Sequence, residues 1–147
     1  MRRDRAAADL TQRTECERAI ELTVEHFGGI DILVLNAGMA TYGTLETFAP
    51  IEQAMQVNFF GAAYPTYLVK AQVMARKGLI AYVTSGAGHV LMAGYLGYTT
   101  SKRAMNGFFE ALRLEMIPRG VDVLSINPGD MYSADATNPP HRADRPA

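Results

Sequence analysis

Tyr98 and Lys102 stand four positions apart in GYLGYTTSKRAM, residues 94–105. A helix turns every 3.6 residues and stacks i over i+4, so the phenol and the amine would share one face. A phenol of ordinary pKa, about 10, is a poor base at neutral pH, and a nearby ammonium favours its ionised form. So tuned, it can protonate a ketone oxygen or deprotonate an alcohol. The pair alone reads equally well as a surface pair. Ser85, in TSGAG (84–88), and Asn58, in QVNFFG (56–61), are the other candidates. A serine among Gly and Ala is by itself a loop serine. An asparagine inside an apolar helix needs partners if buried, as a cap or a bridge. NAG (36–38) and NPG (127–129) read singly as turns.

The elements around these residues place them together. Thr14 to Phe27 carries Ile20, Val24 and Phe27 at helical spacing and meets Gly28-Gly29, which can stop a helix. IDILVL (30–35) is a short β-branched run and predicts a buried strand. Residues 50–77 predict a long helix that is apolar on more than one side. LIAYVTS (79–85) predicts a second strand, residues 97–116 a second long helix, and VDVLSI (121–126) a third strand. Strands alternating with helices through short connections imply right-handed crossovers and a parallel sheet. NAG, Ser85 and NPG then fall at the carboxyl ends of the strands, where open parallel sheets bind ligands. The first strand would have a bare apolar edge, because MRRDRAAADL offers no β-branched run to pair with it.

Bulk properties narrow the classes. The 147 residues suit about one domain, with 48% apolar and 20% charged residues. A net charge of −1 advertises neither nucleic acid nor an anionic membrane as partner. One cysteine, Cys16, excludes an internal disulfide and a multi-cysteine metal site, and no metal is expected. No apolar run approaches the roughly 20 residues that span a bilayer. After Tyr132 the composition turns to SADATNPPHRADRPA, so 134–147 reads as a disordered tail behind a domain of residues 1–133.

In this order and on these elements, NAG (36–38), VN (57–58), TSGAG (84–88), Tyr98-x-x-x-Lys102 and NPG (127–129) resemble the short-chain dehydrogenase/reductase family. Ser85 precedes Tyr98 by 13 positions, the family's usual separation, and Asp9-Leu10-Thr11 is similar to its D-[VL]-[ST]. The resemblance runs from Ala8 to Ser133. It implies an α/β fold, a partial Rossmann-like doubly wound parallel sheet in three α/β/α layers that lacks the first βαβαβ half. It also implies hydride transfer between an alcohol and a ketone or aldehyde, with NAD or NADP as cofactor. The choice leans to NADP but is left open. Tyr98 would be the general acid/base. Lys102 would lower its pKa and hold the nicotinamide ribose, Ser85 would bond the substrate oxygen, and Asn58 would anchor a proton-relaying water. Asp9 and Leu10 would lie near the adenine. Asn36, Ala37 and Gly38 would line the adenosine side, and Pro128, Gly129 and Ser133 the nicotinamide end.

The family's T-G-x-x-x-G-x-G turn, whose amides receive the cofactor pyrophosphate, is missing from this sequence. The C-terminal substrate loop, last helix and last strand of the family are replaced by the Pro-rich tail. The implied substrate is a small alcohol or carbonyl compound, with hydrophobic steroids, retinoids or keto-sphingoid bases as the nearest branches. A homo-oligomer through helices 50–77 and 97–117 is expected, and a cytoplasmic location. Some of the family's branches carry an N-terminal membrane anchor, which would lie ahead of the matched part. The alternative is an inactive fragment or isoform that serves as a dimerisation partner. A stand-alone three-strand binding module is disfavoured, since it leaves Ser85, Tyr98 and Lys102 without a purpose.

Overall fold

The computed structural model describes residues 7–128. Helix α1 (Arg13–Phe27) ends where Gly28 turns left-handed, with φ 77°, and its N–H bonds the carbonyl of Val24. Strand β1 (Ile32–Leu35) follows. Helix α2 (Ala49–Ala54), a π-turn (Met55–Phe60) and helix α3 (Gly61–Arg76) then make one helical course. Strand β2 (Leu79–Val83), a short 3-10 turn (Gly86–Gly88) and helix α4 (Leu96–Met116) come next. A second 3-10 turn (Ile117–Arg119) leads into strand β3 (Asp122–Ile126). Every expected strand and helix is present close to its expected bounds.

The π-turn is the departure from expectation. Its wider i to i−5 bonding, closed by the Gly61 N–H on the Gln56 carbonyl, adds a residue and shifts the helical phase. Apolar positions before and after it therefore face different ways. That is why the stretch looks apolar on more than one side. It also turns Asn58 fully inward.

The three strands are parallel in the order β1-β2-β3. Their register aligns Leu33 with Ile80 and Val123, and Leu35 with Tyr82 and Ser125. This row pattern faces α3 and α4, where Val69, Val73, Met105, Phe109 and Met116 close the core. Tyr82 stacks on Phe109 with ring centroids 4.3 Å apart. Helix α1 adds Ile20 to the same layer, and Arg76 ties its end down through Asp31 at 3.1 Å and the Gly28 carbonyl at 2.7 Å. The alternate row, Val34-Ala81-Leu124, points the other way. There Ile32, Val34, Leu124 and Ile126 are 59%, 58%, 49% and 40% exposed. Of the three layers expected, the described residues form two.

Two crossings bring the site elements close. The first turn of α4 lies on α2 so tightly that a Cβ at Gly97 would come within 2.7 Å of the Ile51 Cα. The loops after β1 and β2 pair through a parallel bridge, with the Gly43 N–H on the Gly94 carbonyl at 2.8 Å.

Candidate active site

The π-turn, the loop after β1 and the start of α4 meet at a buried polar junction. Asn58 is 0% exposed. Its Oδ1 accepts from the Met39 N–H at 2.8 Å, and its Nδ2 donates to the Met39 carbonyl at 3.0 Å. The second N–H of the amide goes to Ser101 Oγ at 2.9 Å. Ser101 in turn donates to the carbonyl of Tyr98 at 2.8 Å. The bridge expected of a buried asparagine is thus formed, and both side-chain N–H bonds are committed to protein.

Lys102 lies beside this junction, 5% exposed, and donates to the Val83 carbonyl at the end of β2 at 3.1 Å. Burial pushes its amine below the ordinary lysine value of 10.5. Its Nζ sits 5.9 Å from the centre of the Tyr98 ring, so the two residues share a face as their spacing requires. Gly38 closes the group. A Cβ there would lie 3.2 Å from Asn58 Oδ1 and 3.5 Å from Lys102 Nζ, which leaves a narrow cleft that any side chain would narrow further.

Ser85 caps the 3-10 turn, its Oγ accepting from the Ala87 N–H at 3.3 Å. It is half-buried at the same end of the sheet, as is Tyr98 near the start of α4. Asn106, one turn beyond Lys102, places its amide nitrogen 3.3 Å from His89 Nε2 and against Gly88. It holds the loop that carries Ser85.

The remaining expected residues are more dispersed. Asn36 and Ala37 are exposed just past β1. Leu10 packs on the start of α3, 3.5 Å from where a Gly61 Cβ would stand. Asp9 accepts from the Thr11 hydroxyl at 2.8 Å and the Thr11 N–H at 2.9 Å, and these bonds hold its carboxyl below the usual carboxylate range. Pro128 is half-buried after β3, whereas Gly129, Ser133 and the tail 134–147 lie outside the described residues.

Ser101 and Asn106 were not among the sequence candidates. Both had a signal. Ser101 falls four residues before Met105 and eight before Phe109 on the buried stripe of α4, where a polar residue needs a partner. Tyr98, Lys102 and Asn106 recur every fourth position on one face.

Comparison with known proteins accords with this arrangement. The family model for short chain dehydrogenases matches residues 3–143. The chain belongs to the short-chain dehydrogenase/reductase family. Over 134 residues it is 34% identical to 11-beta-hydroxysteroid dehydrogenase-like 3 of Arabidopsis thaliana, covering 89% of this chain and 43% of that protein. It is 35% identical over 120 residues to 3-ketodihydrosphingosine reductase of Bos taurus, covering 80% of this chain and 36% of that protein. Among solved structures, a short-chain dehydrogenase/reductase of unknown function from Caenorhabditis elegans, determined with cofactor, superimposes with a TM-score of 0.79 at 29% identity. That match covers 83% of this chain and 48% of the other. The chain therefore spans less than half the length of these relatives. The Rossmann-like parallel sheet expected from the sequence is the fold of the family.

Proposed function

We propose that this chain carries the proton-transfer half of an NAD(P)-dependent oxidoreductase that interconverts an alcohol with a ketone or aldehyde. The observation that carries the reading is the buried Lys102 amine on the same helical face as Tyr98, at the strand ends beside Ser85. In the direction of reduction, Ser85 bonds the carbonyl oxygen and Tyr98 Oη delivers a proton to it. In oxidation the phenolate takes the hydroxyl proton. Lys102 supplies the positive charge that a phenolate calls for. The amide protons of Asn58 are committed to Met39 and Ser101. A relay water would thus be held by an oxygen of Asn58, Oδ1 or its main-chain carbonyl.

The nicotinamide cofactor supplies the hydride when bound. The cleft at Gly38 and the Lys102 amine beside it suit a ribose hydroxyl, since a lysine donates three N–H bonds and carries no acceptor. Asp9 and Leu10, Asn36 to Gly38, and Pro128 to Ser133 are the positions we assign to the rest of the cofactor. Choosing between NAD and NADP needs residues that read the ribose 2′ position.

Substrate preference follows from the loops and the relatives' names. Tyr42, Leu45, Phe48, Val90 and Leu91 are all more than 59% exposed on the two loops that flank Tyr98. An apolar rim of this kind suits a hydrophobic carbonyl compound of the steroid or keto-sphingoid class. Self-association is the second reading, through an open groove of about 330 Å³ between α3 and α4. Its lining pairs apolar Phe108 and Leu112 with Lys70 and Glu115, opposite charges that a two-fold axis could bring together.

Tyr98→Phe tests the acid/base reading. Carbonyl reduction by the active full-length protein should disappear while dinucleotide affinity stays near wild type. Surviving activity would remove the proton-transfer role.

A further inference from the structure

The hydroxyl of Ser101 has no role in the proton transfer proposed above, yet it joins two of the groups that do. We infer that Ser101 is a positioning residue that fixes the orientation of the Asn58 amide and, through it, the distance between the Gly38-Met39 loop and the Tyr98/Lys102 face of α4. The inference rests on the proposed reading of this site.

The direction of every bond in the junction is determined. Met39 offers one N–H and one carbonyl to Asn58, at 2.8 and 3.0 Å, so the amide can face it only with Oδ1 toward the N–H. The other N–H of Nδ2 then needs an acceptor, and Ser101 Oγ provides it at 2.9 Å. An oxygen that accepts there must send its own proton elsewhere, and it goes to the Tyr98 carbonyl at 2.8 Å. Both side chains are 0% exposed, so no bulk water can substitute for either bond. With Ser101 reduced to alanine, one Asn58 N–H is buried without an acceptor, and the amide gains by turning away from Met39. Gly38 lies within contact of Asn58 Oδ1 and Lys102 Nζ, so that rotation alters the cleft at the lysine. No other described side chain is recorded bonding both Asn58 and the first turn of α4.

The test compares Ser101→Ala and Ser101→Thr with wild type in the full chain, using a melting curve to check that each folds. Backbone amide exchange at Met39 is the first measurement, because that N–H is held only through Asn58. Ser101→Ala should speed it by about tenfold or more relative to Val73 and Ile80 in the core, and Ser101→Thr, which keeps the hydroxyl, should restore protection. Equal acceleration at all three amides would show that Ser101 merely packs, and would overturn the inference. Unchanged protection at Met39 would overturn it as well. The second measurement is turnover. Ser101→Ala should lower kcat for carbonyl reduction about tenfold while KM stays within about twofold, the mark of an interaction realised at the reacting centre. A loosened Met39 with unaltered kcat would refute the positioning role. If Ser101→Thr proves too bulky to fold, Ser101→Ala decides the question by itself. Full activity in Tyr98→Phe would instead count against the acid/base reading, and Met39 exchange would still report on Ser101.

Discussion

The two faces of the sheet are made of the same residue types and meet opposite circumstances. Leu35, Ile80 and Tyr82 on one face are at most 6% exposed beneath α3 and α4. Ile32, Val34, Leu124 and Ile126 on the other are 40–59% exposed. The covered face is also the one that carries the chemistry, since α4 packs there and holds Lys102 and Ser101 at its upper end. The difference teaches that the framework of the proton-transfer site is assembled within this chain, whereas the opposite face has apolar side chains ready for another layer. Covering such a side chain contributes about 1.5–3 kcal/mol.

The comparison can be broken or sharpened by experiment. The largest effect belongs to the site on the covered side: Tyr98→Phe should lower carbonyl reduction by about 10²–10⁴-fold, the usual range for general acid/base groups. Steady-state rates beside a dinucleotide titration check it. Ile80→Ala should cost about 2–5 kcal/mol in urea unfolding, because a fully buried side chain leaves a cavity. Asn58→Ala follows at about 1–3 kcal/mol, through the Met39 and Ser101 groups it leaves without partners. A value near zero would show that the junction is solvated, and the site would lose its claim to a preassembled frame.

Alkaline pH gives a finer reading. Burial lowers the pKa of Lys102 in the folded chain below the 10.5 of the unfolded one. Between those two values the unfolded state binds more protons, so stability should rise with pH through that window and level off above 10.5. Lys102→Met should flatten this rise, as seen in urea midpoints across the same pH range. The smallest effect is expected from the other face. Ile32→Ala in the 147-residue chain should change stability by no more than about 0.5 kcal/mol. A loss as large as that of Ile80→Ala would show Ile32 to be covered and would end the contrast between the faces.

Much of this was readable in the sequence because it depends on local spacing. Four residues between Tyr98 and Lys102 place them on one helical face whatever surrounds the helix, and alternating strand and helix patterns give parallel strands by the handedness of crossovers. The β-branched runs located β1, β2 and β3, and Gly28-Gly29 located the end of α1. The π-turn at Met55–Phe60 was not readable, because a single inserted residue only blurs a helical period. Asn58 was therefore visible as an odd residue, with its partners unnamed.

What the sequence by itself determined is the set of reactive groups and the elements that bear them, since both follow from residue type and periodicity along the chain. What only the tertiary structure decided is which distant residues meet. Met39, Asn58 and Ser101 are separated by 19 and 43 positions, and only packing of the loop, the π-turn and α4 brings them into bonding distance. Tertiary packing likewise buried Lys102 and left Ile32 and Val34 in water. Hydrogen bonds and burial act through space over a few ångströms, and a linear pattern does not record that distance.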